Sequence, residues 1–162
     1  NVMRHIPSSK WMKLALCSAR RGIKRSAGGP FGAVIVYKGC ALSVACNTVL
    51  KKNDPTCHAE INAIREASRK LKTFDLRHCV IYSTTEPCPM CFAAIHWARI
   101  PLVVYGTGIR DVARRGFNEL FISNQRMKQI GKSKVRVKPD FMKEECLRLL
   151  EGWDQKAGKK TY

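Results

Sequence analysis

Two short stretches decide how this chain is interpreted: Cys57-His58-Ala59-Glu60 and Glu86-Pro87-Cys88-Pro89-Met90-Cys91. A catalytic zinc ion takes three protein ligands, chiefly Cys and His, and keeps a fourth position for water. The two stretches offer His58, Cys88 and Cys91 as the three ligands. Their residue types and spacing therefore predict a catalytic zinc site assembled from two separate parts of the chain.

Glu60 is predicted to be the catalytic acid–base group. It lies two residues after His58, near enough to reach a water on the metal without binding the metal itself. Zinc lowers the pKa of its bound water to roughly 7, and a nearby carboxylate can then move the proton. A structural zinc site would need a fourth ligand. Cys57 is the candidate for it, but its side chain should point away from that of His58.

Both ligand stretches are predicted to open helices, because apolar residues recur after them at helical spacing. These residues are Ile61, Ile64 and Ala67 in the first helix, and Cys91, Phe92 and Ile95 in the second. Pro87 suits the start of the second helix, where its missing N–H costs nothing. The positive ends of two helix dipoles would then face the metal and favour cysteine thiolates.

The remaining chain predicts an α/β fold. We expect helices over 9–25, 58–71, 88–98 and 141–156, and strands over 31–37, 40–47, 79–83, 102–105 and 135–137. Gly106–Arg110 should be a flexible loop, followed by a short helix, a turn at Gly116 and another short helix from Asn124. Strand–helix–strand alternation implies parallel pairing. The expected architecture is a three-layer α/β/α sandwich around a mixed, about five-stranded sheet, in one domain over residues 1–162.

Charge is high and unevenly distributed. The 162-residue chain carries a formal net charge of +18, and residues 1–53 contain ten Lys or Arg and no Asp or Glu. Such a field attracts polyanions. Nucleic acid therefore stays open as a partner, beside the simpler interpretation of a solvated basic surface.

Cysteine usage indicates a reducing compartment. Two of the eight cysteines are assigned to the metal, and the others show no repeating spacing. Four of them lie in apolar surroundings and are expected to be buried free thiols: Cys17, Cys40, Cys46 and Cys79. The sequence contains no run of about 18 apolar residues, so no membrane span is predicted. Residues 1–10 lack the apolar core of a signal peptide. We therefore expect a cytoplasmic protein.

With these residues in view, the chain resembles the cytidine-deaminase-like superfamily, and within it the guanine deaminase branch. His-x-Glu followed by Pro-Cys-x-x-Cys is the pattern of zinc deaminases. Further matching stretches are Gly28–Val34, Asn53–Thr56, Ile95–Arg99, Gly116–Glu119 and the Lys-Lys-x-Tyr ending. The resemblance implies a zinc cofactor, hydrolytic deamination of a small-molecule purine, and a homodimer.

The resemblance also implies the substrate-binding residues. Asn47 matches an asparagine that hydrogen-bonds the base, and Phe31 and Trp97 match aromatics that wall the pocket. Glu119 stands where the family has an aspartate that reads the exocyclic amine of guanine. The simpler interpretations are a turn cap for Asn47, plain core for the two aromatics, and a solvated loop charge for Glu119. Tyr162 is expected to complete a pocket, most readily that of a partner chain, by exchange of the tail 157–162.

One departure bears on the substrate. The family usually has Gly-Phe-Asp-Asp where this chain has Gly-Phe-Asn-Glu. The glutamate is one methylene longer, so the base could sit differently or be another base. The leading hypothesis is guanine deamination to xanthine and ammonia, with guanosine, another nucleoside or an aminotriazine as close variants. The alternatives are tRNA adenosine-to-inosine editing, and a non-catalytic RNA-binding relative, which an intact Glu60 disfavours.

Overall fold

The computed structural model describes residues 5–162, so the expectation for residues 1–10 falls partly outside it. The helices are α1 (Ser9–Lys24), α2 (Val49–Lys52), α3 (Ala59–Leu71), α4 (Pro89–Trp97), α5 (Ile109–Ala113), α6 (Asn124–Gly131) and α7 (Lys143–Asp154). The strands are β1 (Gly32–Tyr37), β2 (Cys40–Cys46), β3 (Cys79–Thr85), β4 (Leu102–Thr107) and β5 (Arg136–Lys138). Every strand lies within two residues of its predicted bounds.

The five strands form one mixed sheet in the order β2-β1-β3-β4-β5. β1 pairs antiparallel with both β2 and β3, whereas β3, β4 and β5 are parallel. β3 and β4 are buried along their whole length, as expected for central strands covered on both faces. The predicted mixed, five-stranded sheet is therefore confirmed.

Helices cover both faces of this sheet. On one face, α3 and α4 pack through small and apolar residues such as Ala63, Ala67, Phe92 and Ile95. On the other face, α1 and α7 pack through a second cluster that includes Met12 and Leu149. The predicted three layers are confirmed, and the two ligand-bearing helices share one face, so that their N-termini can meet.

The stretch Gly106–Arg110 is not the flexible loop that its glycines suggested. Gly106 lies inside β4, and α5 begins at Ile109. A Cβ atom on Gly106 would collide with the side chain of Cys146 and with the backbone of Thr84. The glycine therefore allows α7 to approach the sheet closely, which is a packing role that local sequence does not reveal.

The cysteine predictions were only partly correct. All eight cysteines are free, and Cys79 is buried as expected. Cys46 is half-buried, and Cys17 and Cys40 are exposed, because Cys17 lies on the outward face of α1 and Cys40 begins the edge strand β2. Within residues 5–162, no helix combines the length and the apolar character needed to cross a bilayer.

Candidate zinc centre and substrate pocket

The three predicted ligands come together where α3 and α4 begin. His58 is the N-cap of α3 and Cys88 the N-cap of α4, and both have extended backbone. Cys91 lies in the first turn of α4. Pro89 occupies the start of that helix, so the position expected for Pro87 is taken by the second proline of the motif. Both helices thus direct their positive ends at the same point.

The donor atoms have the spacing that one zinc ion requires. His58 Nδ1 lies 3.6 Å from Cys88 Sγ and 3.5 Å from Cys91 Sγ, and the three donors lie within 4.8 Å of one another. Tetrahedral zinc, with bonds of about 2.3 Å to sulfur and 2.0–2.1 Å to nitrogen, places such atoms about 3.6 Å apart. The set fits zinc without rearrangement.

Cys57 is not part of this set, as predicted. Its thiol is buried, hydrogen-bonds Asp54 Oδ2 at 3.3 Å, and is not one of the clustered donors. Arg65 approaches the same sulfur at 3.5 Å. The centre therefore has three protein ligands, as expected for a site that keeps an open position.

The two ligand thiols differ in acidity. The hydrogen bond from Cys91, together with the neighbouring His58, lowers the pKa of the Cys88 thiol to about 4. The Cys91 thiol has a raised pKa because it donates that hydrogen bond and is buried. Both thiols must be deprotonated to bind zinc, so zinc binding is coupled to proton release.

Glu60 lies next to the ligands, in the first turn of α3. Its carboxyl group is buried, with Oε1 accepting from Ser83 Oγ at 2.8 Å and Oε2 lying 3.4 Å from Cys91 Sγ. Burial raises the pKa of Glu60, which favours a group that both takes and gives a proton near neutral pH. Its position agrees with the predicted acid–base role, which stays a prediction.

A cavity of about 290 Å³ opens directly above this centre. Its lining includes four of the five predicted substrate-binding residues together with His58, Glu60 and Cys88: Phe31, Asn47, Glu119 and Tyr162. The structure therefore brings together, around one cavity, residues from both ends of the chain and from the middle.

Asn47 does two things in the wall of this cavity. Its Oδ1 accepts from the backbone N–H of Val49 at 3.0 Å, which is the turn cap of the simpler interpretation. Its Nδ2 is buried and makes no hydrogen bond of normal geometry within the described chain, although the amide lies close enough to the Tyr162 hydroxyl to lower the pKa of that group. A buried, unpaired donor is unfavourable unless another group satisfies it, so this amide is available to an acceptor in the cavity.

Glu119 lies in a second part of the wall, formed by residues 117–120, and is half-buried and not a solvated loop charge. Burial, reinforced by the negative charge of Cys88, raises the pKa of its carboxyl group to about 7. The preceding Phe117 is buried, with its ring packed edge-on against Phe31. Sequence reasoning did not select Phe117 as a wall residue, although it is part of the Gly-Phe-Asn-Glu stretch.

Tyr162 joins the two walls. Its hydroxyl accepts from Gly29 N–H at 3.2 Å, and its backbone oxygen accepts from Asn118 N–H at 2.9 Å. Its ring lies 5.3 Å from that of Phe117 and 6.4 Å from that of His58. In this single chain the tail closes its own pocket, and exchange of tails between two chains stays a prediction.

Trp97 does not wall the pocket of its own chain, so that prediction was wrong. It is the last residue of α4, 78% exposed, and absent from the cavity lining. It follows Cys88 by nine residues, which at 1.5 Å per residue places it about 13 Å along the helix axis from the metal ligands. Phe117 supplies the aromatic wall instead.

A three-layer α/β/α fold with a His-Cys-Cys centre and an adjacent buried carboxyl group defines a zinc-dependent deaminase. The model of the cytidine and deoxycytidylate deaminase zinc-binding region matches residues 6–107. The chain belongs to this family, so zinc is its cofactor and hydrolysis of a C–N bond its reaction.

Its relatives act on different substrates. Guanine deaminase of Bacillus subtilis is 40% identical over 155 residues, covering 94% of this chain and 97% of that protein. A tRNA-specific adenosine deaminase of Buchnera aphidicola subsp. Schizaphis graminum is 34% identical over 152 residues, covering 93% and 96%. The solved guanine deaminase of Nitrosomonas europaea superposes with a TM-score of 0.81 at 26% identity, covering 93% of this chain and 87% of that one.

Replacing Cys88 with Ser should strip the protein of zinc, because a hydroxyl does not supply the anionic sulfur that the site uses. Mutating groups that hydrogen-bond a metal's ligands typically lowers metal affinity roughly 10–100-fold. Because Cys88 is itself a ligand, we expect a larger loss of zinc affinity. Zinc content after dialysis against a chelator measures it. Cys57→Ser is the matched control and should keep its metal; full retention of zinc by Cys88→Ser would contradict the ligand assignment.

Proposed function

We propose that this protein hydrolyses guanine to xanthine and ammonia. The observation that carries the proposal is the placement of Glu119 and the unpaired Asn47 Nδ2 in one cavity above the His-Cys-Cys centre. Guanine presents N–H donors at N1 and at its C2 amine, and acceptors on its ring nitrogens and O6. A carboxylate on one wall and an amide donor on the other complement this pattern.

Zinc, when bound by His58, Cys88 and Cys91, supplies a Lewis acid that lowers the pKa of a water molecule to about 7. The overall reaction forms a C2–O bond, breaks the C2–N bond and moves protons from water to the departing amine. Glu60 is the group that accepts a proton on one side of this exchange and delivers it on the other. Ser83 holds its carboxyl group in place.

The wall residues orient the base. Glu119 accepts from the amine and the neighbouring ring N–H, and Asn47 Nδ2 donates to a ring acceptor. The rings of Phe31, Phe117 and Tyr162 enclose the base and exclude bulk water, which strengthens each of these hydrogen bonds. C2 is thereby presented to the metal centre and to Glu60.

The size and closure of the cavity support a free base over a longer substrate. Ligand pockets are commonly about 300–1,000 Å³, and this one is at the small end at about 290 Å³. Tyr162 lies across it, hydrogen-bonded to both walls. A base still attached to a nucleic acid would require the tail to move away.

The second candidate function is adenosine deamination in tRNA. It is favoured by the similarity to tRNA-specific adenosine deaminases and by a row of exposed cations along α1. These are Lys10, Lys13, Arg20, Arg21 and Lys24. Phosphate contacts from such a row would bind RNA in a salt-dependent manner, and a flipped adenine would enter the same cavity.

We further propose a cytosolic homodimer. The free state of all eight cysteines, two of them exposed, suits a reducing compartment. A tail held mainly through its last residue can be exchanged between two copies at low cost.

The purified enzyme should release ammonia from guanine far faster than from guanosine, adenine, cytosine or bulk tRNA, each assayed at equal concentration.

Glu60→Gln should keep its zinc and lose about 10²–10⁴-fold in kcat, since general acid–base catalysis contributes that much. Glu66→Gln, on the same helix, is the control. Faster inosine formation in tRNA than xanthine formation from guanine would overturn the proposal.

Glu119→Gln should reduce kcat/KM on guanine by about tenfold to a hundredfold with zinc intact. The amide offers one acceptor where the carboxylate has two and adds a donor facing the donors of the base, and an unpaired buried group costs about 1–3 kcal/mol. Glu144→Gln, on the exposed face of α7, should behave as wild type. Unchanged kinetics on every tested base would place Glu119 outside substrate recognition.

Deleting residues 159–162 should lower turnover strongly while zinc is retained, because Tyr162 joins the two walls. Mixing tail-deleted chains with Glu60→Gln chains then tests exchange. If tails cross over, a mixed dimer regains one working site, built from the sound centre of one chain and the tail of the other. No recovery on mixing would show that each tail serves its own chain, and wild-type kinetics after deletion would exclude a lid.

A further inference from the structure

Glu86 is a buried carboxylate in the cavity lining to which the proposed reaction assigns no role. It lies two residues before the ligand Cys88 and is 8% exposed. Each of its oxygens accepts a backbone N–H from a different helix: Oε1 from Ile109 at 3.2 Å and Oε2 from Asn124 at 2.9 Å. These are the first residues of α5 and α6, so one carboxylate holds the starts of two helices.

A further hydrogen bond strengthens the same junction. Asn124, which is fully buried, donates from Nδ2 to the backbone oxygen of Pro87 at 2.6 Å. Residues 86 and 87 therefore hold both ends of the segment 109–124 against the chain that carries the zinc ligand. A carboxylate beside helix N-termini, accepting from backbone N–H groups, makes the stronger, charge-assisted kind of hydrogen bond.

The segment between these two anchors forms one wall of the pocket. It contributes Phe117, Asn118, Glu119 and Leu120 to the cavity lining. Its stretch 120–122 is weakly attached, because these three apolar residues are 62%, 73% and 42% exposed. Between its ends, the segment is held by Val112 and Phe117, which are buried in one cluster with residues of α7, by the Arg115–Asp154 ion pair at 3.0 Å, and by the bond from Asn118 N–H to the tail.

We propose that Glu86 is a positioning residue that ties the Glu119 segment to the zinc-ligand segment and so sets how tightly the purine is read. The inference rests on the proposed function, in which Glu119 accepts from the base. The metal fixes Cys88, the short link to Glu86 transmits that position, and the two N–H contacts place α5 and α6. Glu119 then lies at a defined distance from the reacting centre.

Only a carboxylate fits this role. Glutamine has nearly the same shape, but it offers one acceptor oxygen and turns an NH₂ donor toward the second backbone N–H. Glu86→Gln therefore opposes two donors at one end of the segment and leaves the rest of the site unchanged. We expect the segment to loosen locally and the zinc centre to stay intact.

The test measures zinc content, kcat and KM of Glu86→Gln on the base that the wild type converts fastest, with the exposed Glu151→Gln as control. We expect the variant to keep its full zinc content and its kcat/KM to fall by up to about tenfold. The decisive arm is the double variant with Glu119→Gln. If Glu86 acts through Glu119, the two losses do not multiply; if they multiply, or if Glu86→Gln loses nothing, the proposal is overturned.

Hydrogen exchange gives a readout that needs no substrate. Amides of 109–124 should exchange faster in Glu86→Gln, while those of α3 and α4 stay protected; unchanged exchange in 109–124 would overturn the proposal even if guanine proved not to be the substrate. Conversely, a wild type inactive on guanine refutes the proposed function alone. Asn124→Ala removes the hydrogen bond to the Pro87 backbone oxygen and should loosen the same segment. It replaces Glu86→Gln in this measurement if that variant does not fold.

Discussion

The rest of this structure depends on one geometric requirement, which is that three donor atoms from two helices lie within bonding distance of a single ion. The separations of 3.5 and 3.6 Å between the sulfurs and His58 Nδ1 require α3 and α4 to begin side by side on one face of the sheet. The small residues Ala59, Ala63 and Ala67, all fully buried, let α3 lie close to the strands beneath. The core thus serves the centre by fixing where two helices start.

The pocket above that centre is built differently. One wall and the closing residue come from the segment 109–124 and the tail, which are attached through a few contacts around Phe117, Trp153 and Tyr162. The metal centre therefore stands on the main core, whereas this part of the cavity wall stands on a smaller cluster of its own.

Local patterns predicted the parts of the molecule that local interactions determine. Ligand spacing, helical periodicity and the run of β-branched residues in the strands were readable, because each depends on neighbours within a few residues. Trp97 was misplaced and Glu86 overlooked because their positions depend on which distant segments meet. The hydrogen bond that Asn124 N–H donates to Glu86 spans 38 residues, and no short-range pattern encodes it.

The cavity is lined by acidic residues, although the chain as a whole is strongly basic. The protein has a net charge of +18 and only twelve carboxylates, yet Glu60, Glu86 and Glu119 line one small cavity. Cations on the outer surface hardly compensate, since charges are screened beyond about 8–10 Å at ordinary ionic strength. Nearby helix N-termini and buried hydrogen bonds have to do so.

That compensation is incomplete at Glu119. Its folded-state pKa of about 7 lies above the unfolded value of 4.5, so the folded chain binds more protons between those values. Stability therefore decreases as pH rises from about 4.5 to about 7 and stays reduced above it. Hydrogen bonds donated by a bound ligand would stabilise the charged form of this carboxyl group and would offset that loss of stability.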